Sequence, residues 1–241
     1  MKKILILGVS MLCMTFTNAQ WGKKIKGNGN IITENRTTAS YDAISISGFF
    51  DVELIDGKEG ELTLKGEENL LNHIVTEVKD GKLVIKVEKG INLSPSTWKQ
   101  GIFITVPVES VDAVTLSGSG DIVGKKTIET DNFKTDISGS GNISLSVTAN
   151  SVKATISGSG DITLSGKTSD FDVRVSGSGD IKAYGLTAVN VSANVSGSAG
   201  IEVTATEMIQ ARVSGSGDIT YRGNPKKIDS KSSGSGDISK G

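Results

Sequence analysis

An acidic residue returns about every nineteen positions in the second half of this chain. Asp121, Asp161, Asp180, Asp218 and Asp237 share one place in a repeat, with Asn142 and Gly200 standing at the same place in two other copies. Carboxylates in a row invite a hard cation, and calcium takes about six to eight oxygens from carboxylates and carbonyls. Known calcium β-rolls, however, repeat about every nine residues with an acid in each copy. Here one acid falls in each longer repeat, and Asn142 and Gly200 break the row. Each Asp or Asn is therefore read as bonding the backbone of its own turn and facing water. The column Asp121, Asp161, Asp180, Asp218, Asp237 stands as the alternative, a calcium site.

Other chemistries fare worse. Serine is abundant, but a serine nucleophile needs a base within reach. His73, the single histidine, has no Gly-x-Ser-x-Gly elbow near it and reads as a surface or structural residue. The Gly-Ser-Gly-Asp turns resemble phosphate loops only superficially, because strands rather than helices follow them. Paired carboxylates for glycoside hydrolysis would need one unique site, whereas these acids sit at equivalent places. No catalytic residue is assigned. Phe49, Phe50 and Trp98 are the candidate ligand contacts, since aromatic faces suit sugar CH groups; Phe49 and Phe50 replace the usual Ser-Gly of a turn. Trp21 has the same capacity.

The elements that position these residues come from a repeat. Ser-Gly-Ser-Gly-Asp-Ile, or a close variant, begins at Ser117, Ser138, Ser157, Ser176, Ser196, Ser214 and Ser233, with spacings of 21, 19, 19, 20, 18 and 19 residues. Such a period signals a repeat architecture. Apolar residues alternate with polar ones on both sides of each copy: Val173 and Val175 around Arg174, Ile181 and Ala183 around Lys182. That period of two is the strand signature. Each repeat is thus a strand, a Gly-rich turn, a second strand and a looser return. A lone hairpin is marginal in water, but stacked copies pair each strand with its equivalent and line inward residues into apolar columns. The expected class is all-β, a single-stranded β-helix or solenoid of about 19–20 residues per rung. An antiparallel meander, sandwich or barrel is the alternative, and it would not need a fixed phase between copies. Ser230 and Ser232 replace the inward apolar residues of the last copy, so 228–241 reads as a polar capping rung that blocks edge pairing.

The first half carries the same pattern in degenerate form. Residues 41–52 align without gaps on 111–122, and Lys26-Gly27-Asn28-Gly29-Asn30-Ile31 fits the frame 21 residues before Ser47. Two worn rungs are therefore expected to precede the regular ones. Between Ser47 and Ser117, three segments alternate as strands (61–65, 81–88, 101–108), 67–71 suits one helical turn, and 90–98 reads as a loop around Pro95. The organisation expected is 20–110 as an irregular β portion and 111–241 as regular repeats, the two being either separate or one continuous domain.

Residues 1–19 have the charged start, short apolar middle and small-residue end of a secretory signal peptide, and the apolar run is too short for a membrane span. The rival is a lipoprotein signal at Cys13, for which Leu12 is a poor neighbour. Cleavage after Ala19 would leave 241 − 19 = 222 residues without cysteine, and removing Lys2 and Lys3 takes the formal charge from −1 to −3. The expected product is periplasmic, cell-surface or secreted. With 26 basic and 27 acidic residues, nucleic acid is not an expected partner, nor is any transmembrane segment. No cofactor is expected beyond the calcium alternative.

With those copies in hand, the chain resembles the head GIN domain family, secreted proteins of Bacteroidetes-type bacteria described as auto-transporter adhesins. The opening Gly27-Asn28-Gly29-Asn30, the segment Gly48-Phe49-Phe50-Asp51-Val52-Glu53-Leu54, Glu68-Asn69-Leu70-Leu71, and Asp80-Gly81-Lys82-Leu83-Val84-Ile85 carry the resemblance in order. It implies a right-handed β-helix shaped like pectin-lyase folds without their catalytic residues, and a role in adhesion; it assigns no binding residue. The expected function is an exported, non-enzymatic solenoid that contacts a surface glycan or an envelope or host protein. A polysaccharide-processing enzyme and a calcium- or glycan-binding module are the alternatives.

Overall fold

The computed structural model describes residues 22–97 and 101–241. The signal-peptide segment 1–19, Trp21 and Trp98 lie outside the described residues. In chain order the elements are β1 (Lys23–Lys26), β2 (Ile31–Thr37), β3 (Ala43–Gly48), β4 (Asp51–Asp56), β5 (Glu61–Glu67), α1 (Glu68–Leu71), β6 (Ile74–Lys79), β7 (Lys82–Val87), β8 (Ile91–Ser94), β9 (Phe103–Val108) and β10 (Ala113–Gly118). Long strands that bend around the rungs follow: β11 (Asp121–Gly139), β12 (Asn142–Gly158), β13 (Ile162–Gly177), β14 (Ile181–Gly197) and β15 (Gly200–Gly215). β16 (Asp218–Arg222), β17 (Lys227–Gly234) and β18 (Ile238–Lys240) end the chain.

The chain is a β-solenoid of about seven turns. From β10 onward every pairing is parallel, and the motif serines stack in register: Ser117 on Ser138, Ser138 on Ser157, and so on to Ser214 on Ser233. This excludes the antiparallel meander. The inward columns are those that the alternation marks: Ile143, Ile162, Ile181, Ile201 and Ile219 stack in one, and Val152, Phe171, Val191 and Ile209 in another, all buried. Each such side chain contributes about 1.5–3 kcal/mol on burial. The capping rung is present as expected: β17 pairs on β15 and every one of its residues is exposed.

The first glycine of each motif copy explains the turn. Gly158 has φ +141°, and a Cβ there would lie 2.2 Å from the Gly139 carbonyl oxygen one rung away. Only glycine permits both the conformation and the close approach.

The first hundred residues correct the sequence reading in three ways. Residues 41–52 do stack on the first regular rung, Ala43 on Ala113 through Gly48 on Gly118. Residues 26–31, however, form no rung beneath Ser47: β2 runs antiparallel to β5, and the rung below β3 and β4 is built by β7 and β9. The chain therefore leaves the stack after β4, makes an excursion below it, and returns at β10 on top of β3. Antiparallel β6 and β5 then cover β7 and β9. Second, β6 was not expected as a strand. Third, 91–94 is not loop but strand β8, paired parallel with β1. These two short edge strands satisfy each other's backbone groups, and neither carries a pattern long enough to announce itself.

Candidate binding face

The acid column takes its place from the corner after each Gly-rich turn. The structure corrects its expected role, because the side chains bond the next rung rather than their own turn. Asn142 Oδ1 accepts the Asp161 N–H at 3.2 Å, Asp161 Oδ1 the Asp180 N–H at 3.0 Å, Asp180 Oδ1 the Gly200 N–H at 2.7 Å, and Asp218 Oδ1 the Asp237 N–H at 2.8 Å. Where the row breaks, the backbone takes over: after Gly200 the Asp218 N–H donates to the Ala199 carbonyl at 2.9 Å. The ladder supplies acceptors at a corner where inter-strand pairing lapses. It also relieves the repulsion of stacked carboxylates, as Asn142 Nδ2 donates to Asp121 and Lys182 Nζ pairs with Asp161 at 2.8 Å. Burial disfavours ionising Asp161, yet the Lys182 and Asp180 hydrogen bonds hold its carboxyl below the usual range. Among the described residues no group of three His, Cys, Asp or Glu side chains is placed to hold a metal ion.

The aromatics divide. Phe50 is fully buried, so it offers no face to a sugar, and Phe49 is half-buried, packed on the core with its ring 5.6 Å from that of Phe50. Phe50 occupies a place that is glycine or alanine in the regular copies, and its ring is buried in the core. Among the described residues the exposed aromatic is Phe103, 49% accessible, beside Asp51 and Asp121. Burial and the Asp121 charge push the Asp51 carboxyl up. His73 lies at the surface with Nδ1 2.8 Å from Glu88.

The opening Gly27-Asn28-Gly29-Asn30 meets the turn around α1. Glu67, buried, accepts the Gly29 N–H at 2.6 Å and the Ser96 N–H at 2.8 Å. Burial raises its pKa, but these hydrogen bonds outweigh that and hold the carboxyl below 4.5. Asn69 clasps the same segment, accepting the Asn28 N–H and donating to the Lys26 carbonyl. The two sequence segments are thus one structural latch.

The face that remains open is serine-lined. The first serine of every motif copy, from Ser47 to Ser233, and the second, from Ser119 to Ser235, form two exposed columns along the stack. None of their hydroxyls is bonded within the described residues. Beside the first column runs a groove of about 470 Å³, whose far wall is Thr155, Arg174, Asn194, Arg212 and Lys231 and whose floor is the backbone at Ile156, Val175, Val195 and Val213. Alternation marks those wall residues as outward, but nothing in the sequence singles them out; only the register gathers them.

This stack of in-register Ser-Gly rungs matches, over residues 40–225, the family described as “Putative auto-transporter adhesin, head GIN domain”. The chain belongs to the head GIN domain family. Solved structures similar to this head GIN chain include a “putative adhesin” from Bacteroides fragilis, 27% identical with a TM-score of 0.80 over 90% of this chain and 99% of that one. A “putative lipid binding protein” from Parabacteroides distasonis is 27% identical, TM-score 0.75, over 91% and 100%. A “putative adhesin” from the same species is 25% identical, TM-score 0.70, over 91% and 100%. No curated protein matches the sequence. Among the described residues no helix is long and apolar enough to cross a membrane.

Proposed function

We propose that this head GIN chain is an exported, non-enzymatic adhesin-like module whose serine-lined face binds a surface glycan. The observation that carries the reading is the pair of exposed serine columns with unengaged hydroxyls, repeated at the rung spacing. Such a face offers many weak hydrogen bonds to an extended, hydroxyl-rich partner, and weak contacts sum when they are held in one array. The adhesin descriptions of the family and of two similar structures agree with it. The lipid-binding description of another favours an apolar ligand, but the exposed large hydrophobics of the described residues divide between the N-terminal excursion (Ile31 on β2 and Phe103 on β9) and the regular stack (Val189 on β14 and Ile228 on β17) rather than forming one patch. The test is capture of the folded chain on immobilised bacterial and host surface glycans. Replacing Ser157, Ser176, Ser196 and Ser214 together with alanine should lower binding at least about tenfold, given about 0.5–1.5 kcal/mol for each hydrogen bond, with the melting temperature unchanged. Equal capture by the variant would overturn the proposal.

A further inference from the structure

The groove beside the first serine column has a charge that the rest of the chain does not. The sequence is formally −1 overall, yet the groove lining holds Arg174, Arg212 and Lys231 and no carboxylate. Arg174 and Arg212 are not wandering cations. Arg174 is forked onto Asp172 through Nε at 3.2 Å and a terminal nitrogen at 3.0 Å, and Arg212 is tied to Asp229 at 2.6 Å. Both partners lie on the side of the arginine column away from the serines: Asp172 two residues back on the same strand, and Asp229 on the next rung, level with Gln210. The guanidinium groups are therefore fixed in place while keeping N–H donors to spare, since each carries five. Lys231 forms no ion pair among the described residues, and neither does Lys153, the next cation on this face.

The spacing narrows the ligand further. Thr155 to Lys231 spans four rung steps, roughly 19 Å at ~4.8 Å each. Arg174 and Arg212 are two rungs apart, with Asn194 between them. In a flat 1,4-linked polysaccharide, successive sugars face opposite ways, so groups on one edge recur every second sugar, close to the length of two rungs. A carboxylate on each sugar would meet Arg174 and then Arg212 along that edge. The guanidinium fork suits a carboxylate geometrically, sugar CH faces suit the backbone floor, and the serine column faces the ring hydroxyls. We infer, on the strength of the glycan-binding reading above, that this groove binds a linear polyuronate, a carboxylated 1,4-linked polysaccharide lying along the solenoid axis.

The probes are a β-1,4-linked mannuronate hexamer and mannohexaose of the same linkage, identical except that a hydroxymethyl group replaces each carboxylate. Calorimetry on the full chain should give binding to the mannuronate hexamer, at least about tenfold weaker binding to mannohexaose, and affinity that falls as salt rises. Arg174→Gln combined with Lys231→Gln should weaken the mannuronate hexamer roughly tenfold without moving the melting temperature, whereas Lys65→Gln, on β5 at the far end, should change nothing. Equal affinity for the two hexamers, no binding of the mannuronate hexamer, indifference to the double substitution, or preference for sulfated heparin would each overturn the inference. The first and last of these leave the glycan-binding reading standing if the fourfold serine variant still lowers capture at least about tenfold. Equal capture by that variant and the wild type removes the reading itself.

Discussion

The two ends of this solenoid are closed in opposite ways. At the C-terminal end the last rung keeps the pairing and gives up the core: β17 stacks in register on β15, but its residues are polar and exposed, with Ile228 at 51% accessibility. At the N-terminal end the core is kept and the pairing changes. β5 and β6 turn antiparallel and α1 packs Leu70 and Leu71 into the interior, so the last apolar layer is covered rather than diluted. A parallel stack offers an open edge and an open core at each end, and a fold must deal with both. Dilution needs only point changes within a repeat and therefore leaves the repeat visible. Covering needs strands of new direction, and these need sequence that no longer repeats.

Four substitutions sharpen that contrast, beginning with the largest expected effect. Val173→Asp places an unpaired charge in the fully buried column and should abolish the cooperative melt, costing more than about 4 kcal/mol. Arg174→Asp, one residue on and exposed, should cost under about 1 kcal/mol; equal losses in urea melts would refute the assigned phase. Gly158→Ala meets both a positive φ and a carbonyl oxygen 2.2 Å away, and should cost about 3 kcal/mol. Gly29→Ala in the N-terminal latch has φ +78° but open space around it and should cost about 1 kcal/mol.

Glu67→Gln tests whether the covered end holds through its latch. The loss should be about 2 kcal/mol, as two backbone N–H groups lose a charged acceptor, and hydrogen exchange should quicken in β1, β2 and β8 before the regular rungs. Because the folded pKa of Glu67 is depressed, its contribution is fully present above pH 4.5 and is lost as pH falls through the lower folded value. Acid melts of the wild type should therefore lose stability below about pH 4.5, and the Gln variant should lose less over that window. One effect has the opposite sign. Thr135 stands in the inward column with its Oγ1 buried and unbonded, so Thr135→Val should raise stability by about 1 kcal/mol, read as a higher melting temperature.

How far the sequence could be read follows the same division. The phase of Val173, Arg174 and Val175, the stacking of 41–52 on 111–122 and the polar last rung were all legible, because a side chain's face is set by its parity along a strand. The order of the first rungs was not. Gly27 to Asn30 imitates the motif closely enough to suggest a rung, yet Glu67, thirty-eight residues from Gly29, draws it into the latch instead. The period reveals the acid column but not its bonding. A turn signal reports which residues can bond locally, and here the nearer unsatisfied N–H belonged to the next rung.

What the amino-acid order determines by itself is therefore the repeating unit: its length, its inward and outward faces, and the glycines without which successive turns could not approach. Periodicity suffices for these because each depends on positions a few residues apart or one repeat apart. What only the tertiary structure decides is which segments are brought level. The excursion of β5 to β9 beneath β3 and β4, the Glu67 latch, and the groove that assembles Arg174, Arg212 and Lys231 from three separate turns are juxtapositions across rungs. They arise from burying a shared core and satisfying backbone groups at the ends, conditions on the whole stack that no single stretch of sequence carries.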